Sequence, residues 1–342
     1  MAISCRVWRL LLALCTLGSV GMESVNAQFF NNFYTTKGCD SAEAIVTQAV
    51  TEAFNQDPSV APALIRMLFH DCFVEGCDGS LLLDPTPQNP NVEKLALPNL
   101  SVRGYEVIDA AKMQLEKTCP RTVSCADIVA LAARDAVLLT GGQHFDMPTG
   151  RLDGMVSTAD NANNNLVSTR SSATELTRKF LEQGLGQDDM ITLSGAHTVG
   201  KTTCGQITSR LYNFPGTTNG VDPTLDFDYA LHLQQLCPQN GNPNDPVPLD
   251  PVSPNTFDNM YYTNGVTGRV LFPSDNVLFA DHQTQFASNL NSQNGQFWQM
   301  KFANALVRMA SNKVKLGVPN RNGEIRKNCR FTNAATGSST NN

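Results

Sequence analysis

Arg66 and His70 stand four residues apart in Leu64-Ile65-Arg66-Met67-Leu68-Phe69-His70-Asp71-Cys72-Phe73. On a helix both would project from one face. Their neighbours are apolar, and a fixed cation beside a poorly hydrated imidazole pushes the histidine pKa down, which keeps it a base. Cleaving a peroxide O–O bond needs such a pair: a base that carries a proton from one oxygen to the other, and a cation that stabilises the charge building on the bond. The spacing by itself also suits a histidine at a helix end and an arginine paired with a surface carboxylate. A second histidine with informative surroundings is His197, in Leu193-Ser194-Gly195-Ala196-His197-Thr198-Val199-Gly200, where small residues leave room for a flat group against the chain. His144, His232 and His282 have no comparable context. Asp71, Asp78 and Ser80, with the carbonyls of Val74 and Gly76, gather hard oxygen donors in a short loop that suits calcium better than a softer metal. A solvated acidic loop has the same composition.

These residues need helices to position them, and helical patterns dominate. Ser41 to Gln56 carries Ile45, Val46, Ala49 and Phe54 on one side, and Thr122 or Ser124 could cap a helix running through Ile128, Leu131 and Val137 to Gly141-Gly142. Leu176 and Phe180 mark another that stops at Gly184, Asp188 and Asp189 suit the start of a helix reaching Ser194, and Phe297 to Met309 adds a strongly apolar one. Alternating strands are few. The class is mostly α, so a catalytic pocket must lie between helices. Only the loop near Pro238 to Pro254 and the tail after Cys329 look irregular.

Arg6 and Arg9 lead an apolar run from Leu10 to Val20, followed by Val25-Asn26-Ala27. This reads as an export signal over residues 1–27, too short to span a bilayer, with a domain over 28–342. Ten cysteines become eight without Cys5 and Cys15, an even number that points to disulfides in an exported chain. Cys72 and Cys77 are close enough to form a small ring; a zinc site there lacks a second Cys/His pair. Spacing does not choose the other partners. A net charge of −6 argues against a non-specific nucleic-acid binder, and no segment reads as a membrane span.

The run Arg66-x-x-Phe69-His70-Asp71-Cys72-Phe73-Val74-x-Gly76-Cys77-Asp78-x-Ser80 resembles the distal signature of plant secretory (class III) haem peroxidases, and similar segments continue from Phe33-Tyr34 to Cys329. The resemblance implies a two-lobed fold with one haem b between a distal and a proximal helix. It assigns Arg66 to transition-state stabilisation, His70 to acid–base catalysis, and Asn99 in Pro98-Asn99-Leu100-Ser101 to accepting a hydrogen bond from His70 Nδ1. Asn99 is also in the chain's only N-glycosylation sequon; a pocket role and a glycan exclude each other. His197 becomes the axial ligand, Asp275 its carboxylate partner, Phe69 a haem neighbour and Lys201 a propionate contact. Two calcium sites are implied, the distal one at Asp71, Val74, Gly76, Asp78 and Ser80, and a proximal one at Thr198, Asp250, Ser253, Thr256 and Asp258. The implied disulfides are Cys39–Cys119, Cys72–Cys77, Cys125–Cys329 and Cys204–Cys237. Hydrogen peroxide would be reduced to water while small phenolic donors give up one electron at a time. A monomer in the cell wall or apoplast is expected, with a vacuolar destination left open by the tail.

Several positions depart from the family pattern. Val167 follows Asn165-Leu166 where proline is usual, Ser168-Thr169-Arg170 replaces proline and aromatic character, Ser59 stands where arginine commonly precedes the distal signature, and Gln206 replaces a frequent aromatic. Donor docking around Val167 is therefore expected to differ. Two rival functions are a secreted haem- and calcium-holding protein with little turnover, and a thiol enzyme using Cys72 with His70.

Overall fold

A computed structural model describes residues 29–319 and 321–335 of the chain, and the expected export segment lies outside them. The described residues form helices α1 Ala42–Gln56, α2 Val60–Cys72, α3 Tyr105–Thr118, α4 Cys125–Leu139, α5 Ala159–Asn165, α6 Ala173–Glu182 and α7 Gln187–Ser194. A short strand β1 (Lys201–Thr203) precedes α8 Cys204–Leu211 and α9 Phe227–Leu236, and its antiparallel partner β2 (Pro246–Pro248) follows them. The chain then adds α10 Met260–Val266, α11 Pro273–Ala280, α12 Gln285–Gln293 and α13 Gly295–Ala310. The class is mostly α, as expected.

Local chemistry sets several helix ends. Ser124, not Thr122, caps α4, its Oγ accepting from Asp127 N at 3.1 Å, because a side-chain oxygen there satisfies an otherwise orphaned donor. The helix ends before Gly141, whose φ of 99° is open to glycine. Asn294 caps α13 through Phe297 N at 3.0 Å, so this helix begins two residues before the apolar run. Within the loop expected to be irregular, β2 pairs Lys201 with Pro248 and Thr203 with Pro246; prolines at the ends of a two-stranded ladder hide any strand pattern.

Helices α1 to α4 pack together as one lobe, with α2 laid along α4. Helices α6, α7 and α10 to α13 form the second, and α13 touches both α7 and α2. One apolar cluster runs through both lobes, from Val46 and Leu68 to Trp298 and Phe302; a smaller one joins α8, α9 and Phe272. Buried ion pairing ties the lobes at depth: Arg151 donates to Asp127 Oδ1 at 2.7 Å and to Ala310 O, at the end of α13, at 2.6 Å. Four disulfides join Cys39 to Cys119, Cys72 to Cys77, Cys125 to Cys329 and Cys204 to Cys237. Cys72 thus has no free thiol, which removes the thiol-enzyme reading.

Candidate active site

Arg66 and His70 sit one turn apart on α2. The short helical turns Glu93–Leu95 and Leu97–Asn99 lie against them. His70 Nδ1 donates to Asn99 Oδ1 at 2.6 Å, and Asn99 Nδ2 donates to Glu93 O at 2.7 Å. With both ends of its amide engaged and only 1 % of its surface exposed, Asn99 cannot carry a glycan. Arg66 Nη2 donates to Pro98 O at 2.9 Å, so guanidinium and imidazole are anchored on adjacent residues of one turn. Burial, reinforced by the Arg66 charge, lowers His70 to about 3. At neutral pH it is an uncharged base whose Nε2 has no protein partner among the described residues. Phe69 leans edge-on to His70 and packs on Phe73 at 4.2 Å between ring centres.

His197 lies in the short turn Gly195–Thr198 that follows α7. Gly195 is required there, since a Cβ would come within 2.7 Å of both Trp298 and the Tyr262 hydroxyl. His197 Nδ1 donates to Asp275 Oδ1 at 2.9 Å, and 38 % of its side chain remains accessible. Burial lowers its proton affinity, but the charge and hydrogen bond of Asp275 outweigh that and leave the pKa raised. The Arg66 charge acts against protonation of both imidazoles. Phe272 stands edge-on to His197 at 5.5 Å. Lys201 is exposed at the start of β1, its charge felt by Asp57.

Two groups of oxygen atoms flank the histidines. Asp71 accepts from Gly79 N at 2.9 Å and Leu81 N at 3.3 Å, and Asp78 accepts from Ser80 N at 3.0 Å and from Lys315. Burial and then Asp78 push Asp71 up to about 7. Ser80 Oγ and both carboxylate oxygens of Glu93 are buried without a well-formed hydrogen bond, although Ser80 lies close enough to ease the charge on Glu93 and Asp78. Val74 and Gly76 border the same loop, closed by Cys72–Cys77. On the other side Thr198 Oγ donates to Asp258 at 3.0 Å and lies 3.4 Å from Asp250, which also accepts from Ser253 N at 3.0 Å. Ser253 Oγ is buried and unpaired, while Thr256 is exposed. No group of three His, Cys, Asp or Glu side chains is arranged to hold a metal among the described residues, so a cation at either place would depend on hydroxyl and carbonyl oxygens as well.

Sequence reasoning missed Glu93, which holds Asn99 through its carbonyl, and Tyr261, whose hydroxyl donates to Asp275 Oδ1 at 3.0 Å. It also missed Arg103, which hydrogen-bonds Ser59 Oγ at 2.7 Å and Asp57 at 3.3 Å. The six-residue step from Glu93 to Asn99 in a short proline-containing segment was an available signal for the first; nothing local marked the other two.

A family model described as peroxidase matches residues 46–294. The chain belongs to the peroxidase family. It is 47 % identical to Peroxidase 5 of Vitis vinifera over 325 residues, which cover 95 % of this chain and 96 % of that one. It is 46 % identical to Peroxidase 71 of Arabidopsis thaliana over 302 residues, 88 % of each chain, and 44 % identical to Peroxidase 1 of Zea mays over 334 residues, 96 % of this chain and 89 % of that one. This peroxidase is therefore an oxidoreductase with a haem cofactor, of the plant class III kind that its motifs resemble. No helix among the described residues is long and apolar enough to cross a membrane.

Proposed function

We propose that this peroxidase is a secreted enzyme that reduces hydrogen peroxide and oxidises small phenolic donors by successive one-electron steps, with His197 as the axial ligand of haem b. The observation that carries the assignment is the paired restraint of two histidines. Each is held at Nδ1, by Asn99 at 2.6 Å and by Asp275 at 2.9 Å, which leaves Nε2 of each for chemistry. His197 fits the ligand role because its accessible ring is backed by a carboxylate that raises its basicity. When bound, haem supplies the redox equivalents that split peroxide and oxidise the donor. His70 Nε2 would take a proton from one peroxide oxygen and return it to the other, which would leave as water. Arg66 stabilises the charge that builds between the two oxygens. Asn99 fixes the tautomer of His70. Phe69 and Lys201 would border the macrocycle and a propionate.

We place calcium at two sites. Asp71, Asp78, Ser80 and the carbonyls of Val74 and Gly76 would hold one; the crowded, buried carboxylates support it. Thr198, Asp250, Ser253, Asp258 and the Thr256 carbonyl would hold the other, supported by the unpartnered Ser253 Oγ. Asp71 adjoins His70 and Thr198 adjoins His197, so each cation would brace one histidine. The monomeric state and a destination in the cell wall, apoplast or vacuole belong to the same proposal, as does a donor site altered at Val167, Arg170 and Gln206.

The test is the optical spectrum of the haem-loaded protein before and after one equivalent of peroxide. Rapid loss of Soret intensity, restored by a phenol, is the expected outcome. A bound haem that peroxide leaves unchanged would sink the catalytic roles of Arg66 and His70 and favour a haem- and calcium-holding protein.

A further inference from the structure

We infer that Tyr261 is a positioning residue that limits how strongly Asp275 draws on His197, and so limits the electron density the imidazole delivers at Nε2. The inference rests on the ligand role proposed above for His197. Its basis is a shared acceptor: Asp275 Oδ1 receives the His197 Nδ1–H at 2.9 Å and the Tyr261 hydroxyl at 3.0 Å. Two donors on one oxygen divide its negative charge, so each bond is weaker than it would be alone.

The phenol has little freedom to do anything else. Tyr261 is buried on α10, its ring edge-on to His197 at 6.1 Å and to Tyr262 at 5.0 Å, with Phe279 at 5.8 Å. Burial and then the Asp275 charge push it well above the ordinary phenol range, so it remains a donor. Tyr262 cannot stand in, because its hydroxyl is committed to Ile191 O at 2.7 Å and Thr192 O at 3.0 Å. Asp275 lies in the first turn of α11, where the helix dipole favours the charged carboxylate. The phenol therefore draws on an oxygen whose other side-chain donor is the imidazole itself.

The experiment compares haem-loaded wild type with Tyr261→Phe, reading the ferric/ferrous midpoint potential and the iron–histidine stretch of the ferrous protein. Removing the second donor should strengthen the Asp275–His197 bond. The stretch should rise, and the equilibrium should move towards ferric by about threefold, a potential roughly 28 mV lower at 59 mV per tenfold for one electron. Replacing Tyr261 by a difluorinated tyrosine, nearly isosteric and a stronger donor, should move both readouts the opposite way, and it decides the matter if the phenylalanine variant fails to fold. Unchanged readouts in both variants would reduce Tyr261 to packing. A higher potential with a lower stretch in Tyr261→Phe would show that the phenol strengthens the carboxylate's hold, which also overturns the inference. Absence of any iron–histidine stretch in wild type would overturn the ligand role itself, a failure visible before Tyr261 is changed.

Discussion

The two halves of the site use the same side chain with the same restraint and obtain opposite acid–base character. His70 and His197 each donate Nδ1–H to a buried oxygen, at 2.6 and 2.9 Å. For His70 the acceptor is the neutral amide of Asn99; burial and Arg66 then dominate, and its proton affinity falls. For His197 the acceptor is the carboxylate of Asp275, whose charge overcomes the burial penalty and raises it. The geometry of a hydrogen bond orients an imidazole, but the charge of the partner decides whether it serves as a proton carrier or as an electron-rich ligand.

Breaking either half should produce different failures. The largest effect is expected from His70→Leu, which removes the proton carrier and should slow the stopped-flow reaction with peroxide by roughly 10²–10⁴ while haem stays bound. Retained fast reaction would show that the base lies elsewhere. Next comes Asn99→Leu, which leaves His70 Nδ1–H unpaired and its tautomer loose; about 10–100-fold is expected in the same measurement.

A smaller effect sharpens the electrostatic side. Because the His70 pKa is depressed to about 3, the imidazole is neutral above that value and becomes charged as pH falls through it. The peroxide rate of the wild type should therefore hold as pH falls through the ordinary histidine range near 6.5 and decline only near 3. Asn99→Asp, by copying the proximal partner, should raise the His70 pKa and move that decline to higher pH. An unmoved acid limb would mean that partner charge is not what separates the halves. The mildest change is Val167→Pro: donor Michaelis constants should shift across several phenols while the peroxide step stays as it was. Constants that do not move would end the docking reading of that position.

Much of the distal half was legible because it is local. Arg66, His70, Asp71, Cys72 and Cys77 fall within one helix and the ring after it, where spacing and geometry coincide. The proximal half was less so. His197 and Asp275 are far apart in sequence, and only the resemblance paired them. Tyr261 and Tyr262 show why single residues resist such reading: adjacent and alike in type, they are rotated about 100° apart on α10. One therefore meets Asp275 and the other the carbonyls of α7. Arg103 likewise reaches Ser59 from another segment. Which partner a buried polar group finds depends on how distant elements approach, and local pattern does not encode that.

The bridge from Cys125 to Cys329, spanning a separation of 204 residues, has a consequence for how the molecule is made. As the chain emerges from its N-terminus, Cys72 can meet Cys77, and Cys39 can meet Cys119, long before Cys329 is synthesised. Cys125, only six positions beyond Cys119 in the sequence, lacks its partner until the chain has been translated a further 204 residues, to Cys329. During that interval its thiol can attack the neighbouring bridges, since disulfides exchange through thiolate attack. Correct maturation therefore depends on an oxidising environment that corrects as well as forms bonds, and truncation just before Cys329 would leave an orphan thiol at the head of α4.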